Sequence, residues 1–412
     1  MKSDLDRIME ESNINALLVR GPAMHNPSMS YFLGLHHVSR GYLLKMRDAE
    51  PVHFHDPMER EEAAASGLRT ESLYDYGNME FLEQTGGDVN LTNTMLLERI
   101  FTDFKVSGRV AVYGYAELGP AYSTLKLLQE RMPAIELVGE DFNRSVLMQA
   151  RLTKDEPEIE RIRAMGKITV AVVADVAGFL TSHAVKDGYL VDRSGNRLTV
   201  GSVKQKINLW LAMRGAENPE GTIFAIGRDA GIPHSAGADE DEIPVGVPIV
   251  FDIFPCEAGG GYFYDFTRTW CLGYAPDEVA KLHADVLDVF NAVSKSLRSD
   301  TLCREHQKQT CELFEAMGHP TVLSNPKTTE GYVHSLAHGL GLNVHESPSF
   351  TNIEGNQDRL LPGMVFTVEP GLYYPERGMG ARIEDTVWIR PDGRVETLVD
   401  FSKELVLKMP AM

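Results

Sequence analysis

Short apolar runs separated by helical stretches fill the first 150 residues. Asp4 to Ser12 has helical spacing, and Ala16 to Val19 is an apolar run suited to a short buried strand. Tyr42 to Met46, Pro51 to His55 and Arg109 to Tyr113 read as further strands, and Ala121 to Met132 as a helix. Such alternation predicts an α/β domain over 1–150. Thr153 to Glu156 then fits a capping box, with Pro157 in the first helical turn. Ile159, Ile162, Thr169, Val173 and Val176 continue at helical spacing, so a long helix is expected to open a second domain. Helical patterns return at Ser202 to Arg214, Pro276 to Leu297 and Cys303 to Met317. Strand-like runs cover Pro248 to Phe254, Gly261 to Leu272, Met364 to Val368 and Arg382 to Ile389. Clustered rather than alternating elements predict an α+β domain over 151–412.

Composition narrows the class. With 43% hydrophobic residues in 412, the chain can bury sizeable cores, which excludes a disordered chain or a stapled mini-domain. The formal charge of −19 makes nucleic acid and anionic membrane surfaces poor partners. Cys256, Cys271, Cys303 and Cys311 form no CxxC pair and suit reduced core thiols. The start, MKSDLDRIMEES, lacks the apolar stretch of a signal peptide. The longest apolar run, Ile168 to Leu180, is short for a bilayer and contains Asp175. A soluble, cytoplasmic protein is expected. The acidic stretch Asp239 to Glu242 reads as a solvated loop.

Chemistry enters with acids in apolar company. Asp252 lies in PIVFDIF, Asp265 in GYFYDFTRTW, Glu369 at the end of MVFTVE and Glu384 in ARIEDTVWI. A buried unpaired carboxylate costs several kcal/mol, and four together repel one another. A cation should therefore sit among them, either an arginine (Arg268 or Arg382) or a metal. The run from His334 through His338 to His345 is the second signal. His334 and His338 are four apart, but Ser335 stands where a zincin needs its glutamate, and Gly339 and Gly341 oppose a continued helix. On an extended segment His338 and His345 would face different ways unless a glycine bulge re-aims one, leaving one for metal and one for substrate. His234, in a turn before the Asp252 strand, is weak by itself.

These residues resemble the pita-bread metallopeptidases, the group of methionine aminopeptidases, Xaa-Pro aminopeptidases and Xaa-Pro dipeptidases. The similarity rests on DFTRTW, AHGLGLNVHESP, TVEPGLY and GARIEDTVWI in that order, and on DEPEIERIRAMGKIT at the first helix. It implies a pita-bread catalytic domain over 151–412 preceded by a smaller creatinase-type domain over 1–150. It further implies a site of two divalent ions, with Asp252 on the first, His338 and Glu369 on the second, and Asp265 and Glu384 bridging. His345 and His234 would contact the scissile bond or its tetrahedral intermediate, and Arg382 would support the bridging carboxylates. Four oxygen donors with one imidazole favour Mn²⁺, with Co²⁺ or Zn²⁺ as substitutes. The implied reaction is hydrolysis of the bond before proline by a hydroxide shared between the metals, Glu369 moving the proton. Its substrate is a peptide or dipeptide with proline second, and its assembly a homodimer.

Three departures from the family pattern stand out. Asp252 and Asp265 are 13 apart, two more than usual, and Ala258 to Gly261 is the expected place for the insertion. An even insertion keeps side-chain facing. Phe254 replaces a frequent glycine, and Ala337 another. The alternative readings are a same-fold lyase or amidinohydrolase of a small zwitterion, and a non-catalytic binding protein. Elsewhere, Gly259 to Gly261 lacks the ending of a phosphate loop, His53 and His55 read as polar strand residues, and Tyr262, Tyr264 and Phe266 read as core.

Overall fold

The run Ala16–Arg20 is a strand at the heart of a six-stranded sheet because nearly every side chain on it is apolar. It pairs antiparallel with Gly41–Met46 and parallel with Gly108–Gly114. Val52–His55 and Arg69–Ser72 extend one side, and Ile135–Val138 the other. Ala16 and Leu18 pack with Leu96, Leu97, Ile100 and Phe101 of the helix Val89–Asp103, while Leu17 and Val19 are buried on the opposite face. Burial on both faces explains runs without alternation. His53 and His55 are both buried on their strand, with ring centroids 6.0 Å apart.

The computed structural model describes residues 4–409. The chain divides into one unit running to Arg151, joined by Gly259–Gly261, and a second comprising Leu152–Ala258 and Tyr262 onward. The glycine tip that was expected only to absorb two residues thus groups with the first unit, where the His25 N–H donates to the Gly259 carbonyl at 2.9 Å.

The second unit opens with the helix Glu156–Thr181. Its capping box lies two residues beyond the expected one: Asp155 accepts from the Glu158 N–H, and the Glu158 carboxylate accepts from the Asp155 N–H. Lys154 explains the shift. Its N–H donates to the Gly363 carbonyl and its ammonium is buried against Glu346 at 3.3 Å, so it is held outside the helix. At 26 residues this helix is long and apolar enough to cross a membrane, which corrects the shorter run expected there. Its apolar stripe from Ile159 to Leu180 is nevertheless buried, and Asp175 pairs with Arg214 at 2.6 Å.

Two sheets carry the unit's chemistry. One orders Thr222–Ile226, Pro248–Ile253, Phe266–Leu272 and Val406–Leu407. The other orders Glu346–Ser349, His338–Gly339, Val365–Val368, Asp385–Ile389 and Val395–Thr397. The helices Asp277–Ser296 and Cys303–Ala316 bury their apolar faces in a core shared with the second sheet. Two expected strands are shorter than their apolar runs. Gly261 to Leu272 becomes a strand only from Phe266, because Tyr262 still closes a turn onto Glu257. Arg382 to Ile389 splits into Met379–Arg382, paired with Gly371–Tyr374, and Asp385–Ile389, paired with Val365–Val368. Between them Glu384 bridges to Thr267 of the other sheet, so the chain changes partners there. All four cysteines are buried and unbridged, and Tyr262, Tyr264 and Phe266 are core.

Candidate metal centre

Strand register brings the acids together. Asp252 stands opposite Thr267 in the first sheet, and Asp265 lies just before that partner strand. Glu369 and Glu384 each lie one residue beyond the Val368–Asp385 pair of the second sheet. Thr267 joins the two sheets: its hydroxyl donates to Glu384 Oε2 at 2.7 Å and accepts from Arg382 Nε at 3.2 Å. His338 reaches the same place through the register shift at His338/Gly339. Its Nδ1 faces the Gly339 carbonyl at 3.1 Å, leaving Nε2 at 3.5 Å from Asp265 and 3.4 Å from Glu369.

All eight residues singled out in the sequence line one cavity of about 800 Å³: Asp252, Asp265, His338, Glu369, Glu384, His234, His345 and Arg382. The tightest group is Asp265, His338 and Glu384, with one ligand atom from each within 4.8 Å of the others. His338 and His345, expected to face apart, have ring centroids 4.3 Å apart, because the bulge and the turn after it bring them back together. His234 and His345 are exposed to the cavity, whereas Asp252, Asp265, Glu384 and Arg382 are buried.

Both expected arginines are ion-paired, in different places. Arg268 lies against Asp385 at 2.7 Å, outside the cluster. Arg382 pairs with Asp252, rather than with the two acids that the resemblance makes bridging, and also donates to the Tyr373 hydroxyl at 2.8 Å and the Pro233 carbonyl at 3.1 Å. Sequence reasoning set His334 aside, yet it lines the cavity with Nδ1 3.8 Å from Glu369 and Nε2 2.9 Å from the Tyr373 hydroxyl. Its signal in the sequence is the four-residue spacing to His338, which here lies outside any helix. Tyr373 gave no signal beyond its place in the GLYY run.

Electrostatics tests whether a cation fits. Four carboxylates face one guanidinium here. Burial raises Asp252 to about 6, with Arg382 opposing and Asp265 adding to the rise. Burial likewise lifts Glu369 to about 7, and pushes Glu384 well above the ordinary carboxylate range with Asp265, Glu369 and Asp252 adding to it. Burial would depress His338, but its bond to Asp265 and the charge of Glu369 raise it to about 9. His334 goes the other way, to about 3, through burial and Arg382. Asp252 Oδ1 and Glu384 Oε1 are buried without a hydrogen-bond partner. Unpartnered oxygens beside mutually repelling acids and one imidazole make a donor set for divalent cations.

The model of metallopeptidase family M24 matches residues 160–391. Over 250 residues the chain is 32% identical to the probable dipeptidase PepE of Mycobacterium tuberculosis, a match spanning 61% of this chain and 59% of that protein. The chain thus covers less than two thirds of that relative's length. With the Xaa-Pro dipeptidase of Pyrococcus furiosus it shares 28% identity over 287 residues, 69% of this chain and 73% of that one. The X-Pro aminopeptidase structure from Thermotoga maritima superposes with a TM-score of 0.73 at 23% identity, covering 97% of this chain and 99% of that one. The Xaa-Pro dipeptidase structure from Bacillus anthracis gives 0.74 at 21%, covering 98% and 99%. These similarities establish a two-domain α+β fold, a pita-bread domain preceded by a smaller one. With more than half of its length matched, the chain belongs to metallopeptidase family M24.

Proposed function

We propose that the protein hydrolyses the peptide bond preceding proline in dipeptides or longer peptides, with two divalent ions held by Asp252, Asp265, His338, Glu369 and Glu384. Residues 1–150 are then the creatinase-like domain and 151–412 the catalytic one. The observation that carries this reading is the convergence of four carboxylates and His338 in one cavity, with two buried carboxylate oxygens left unpartnered. When bound, the ions supply Lewis acidity for the scissile carbonyl and acidify the attacking water. Glu369, half-buried at the cavity, takes the proton lost by that water and delivers it to the proline nitrogen as the C–N bond breaks. His234 and His345, exposed to the cavity, donate to the oxygen that gains charge in the tetrahedral intermediate. Burial, then His338, lowers His345, which keeps it a neutral donor near pH 7. Arg382 fixes Asp252 and Tyr373. A donor set dominated by carboxylates favours Mn²⁺. A homodimer in the cytoplasm completes the reading, the latter in keeping with four unbridged thiols.

Mass spectrometry of products from Leu-Pro and from longer Leu-Pro peptides, with metal analysis of the same sample, tests it. We expect cleavage before proline, up to two divalent ions per chain, and loss of both after chelation. Full peptidase activity in a chelated, metal-free sample overturns the proposal, as does metal-loaded protein that cleaves neither substrate.

A further inference from the structure

The cavity holding the carboxylate cluster is also lined by polar residues from the helix Val200–Ala212 and the turn before Thr222–Ile226. One of them, Glu220, stands out by its lack of company. Among the described residues it has no hydrogen-bond or ion-pair partner. The one cation on that wall, Lys204, is committed elsewhere: its ammonium donates to the Gly237 carbonyl at 2.9 Å and to Asp239 at 3.0 Å. Glu220 is therefore an exposed carboxylate at the cavity to which, among the described residues, no cation is paired.

Its position is fixed. Asn218-Pro219-Glu220-Gly221 forms a turn in which the Gly221 N–H donates to the Asn218 carbonyl at 3.3 Å. Pro219 presets the turn, and Gly221 takes a φ of +86° that a larger residue rarely adopts. The Asn218 amide ties the turn down by donating to Thr222 Oγ1 at 2.8 Å and Asn208 Oδ1 at 3.1 Å. Three residues on, Ile223 stands directly opposite Asp252. Glu220 therefore lines the same cavity as the cluster, in the turn before the strand that pairs with Asp252. Burial and the nearby charge of Asp265 both raise its carboxyl above the ordinary range.

We propose that Glu220 forms a subsite selecting lysine or arginine as the substrate residue on the amino side of the scissile bond. This rests on the peptidase reading above. Either residue carries its charge on a long apolar stem, which suits a cavity whose lining includes Ile223, Ala236 and Val344. The substrate's own α-ammonium is the competing source of positive charge, and the two are separable because every dipeptide carries an α-ammonium.

The test compares kcat/KM for Arg-Pro, Lys-Pro and Leu-Pro in the wild type, Glu220→Gln and Glu220→Lys. The wild type is expected to favour Arg-Pro and Lys-Pro over Leu-Pro by about fivefold. Glu220→Gln should bring that ratio close to one, and Glu220→Lys should turn it below one, in favour of Leu-Pro. An unchanged ratio overturns the proposal, and so do equal losses on all three substrates, the signature of an α-ammonium contact. Wild-type cleavage of Leu-Pro reports on the peptidase reading alone. Calorimetric titration with argininamide and leucinamide reads the subsite without turnover: tighter argininamide binding that is lost in Glu220→Gln supports it, and equal binding of the two overturns it.

Discussion

Glu384 is held by a hydroxyl on one oxygen and by nothing on the other, among three further acids. In metal-free protein burial, then Asp265, Glu369 and Asp252, pushes its carboxyl well above the ordinary range, which favours the neutral form. Glutamine reproduces that neutral form in shape and charge. Glu384→Gln should therefore leave the stability of the metal-free protein within about 1 kcal/mol of wild type, while lowering metal content and cutting peptidase turnover by about a hundredfold or more. Calorimetry and metal analysis of one sample check both halves. Metal content equal to wild type removes Glu384 from the ligand set. Such acids were legible from sequence because a charge inside an apolar run is costly wherever the strand goes. Glu220 was not, since an acid in a polar turn is ordinary until its neighbours in space are known.

At the scale of elements, the His338 bulge aims two histidines at one place. Gly339 permits it: a Cβ there would lie 1.9 Å from the Ser347 carbonyl oxygen, an impossible approach. Gly339→Ala must push the Glu346–Ser349 strand away and carry His338 and His345 with it. We expect a loss of about 1–3 kcal/mol in denaturant melts, with weaker metal binding by the folded fraction. A variant that melts like wild type and binds metal equally would show that the bulge does not set the site. Element types were largely legible in the sequence, because periods of 2 and 3.6 are local properties. Element ends were not. The helix beginning at Glu156 starts late because Lys154 is held by Glu346, 192 residues away. The strand ending at Arg382 stops because Glu384 finds a partner in another sheet.

For the whole molecule, acid stability is the testable property. His53 in the first unit and His283 in the second are buried, and burial lowers each to about 4 from an ordinary 6.5, assisted by His55 and Arg268 respectively. Between pH 6.5 and 4 the unfolded chain binds protons that the folded one refuses. Stability is therefore whole above about pH 6.5 and falls as the pH drops toward 4, by up to about 3 kcal/mol for each histidine. Urea midpoints measured from pH 7 to 4.5 should show this fall, and His53→Leu should flatten it for the first unit. An unchanged slope in that variant would mean that His53 is protonated in the folded state. The same division of knowledge holds at every scale. Sequence alone determined which segments are apolar, with what period, and hence which carboxylates are too costly to leave without a cation. Tertiary structure decided which cation each one meets, with Arg382 on Asp252, and it placed Arg268 on Asp385 outside the cluster. The physical reason is distance along the chain. Thr267 and Glu384 are 117 residues apart, and whether their oxygens meet depends on strand register and on a break between two sheets, neither of which is a property of any short stretch.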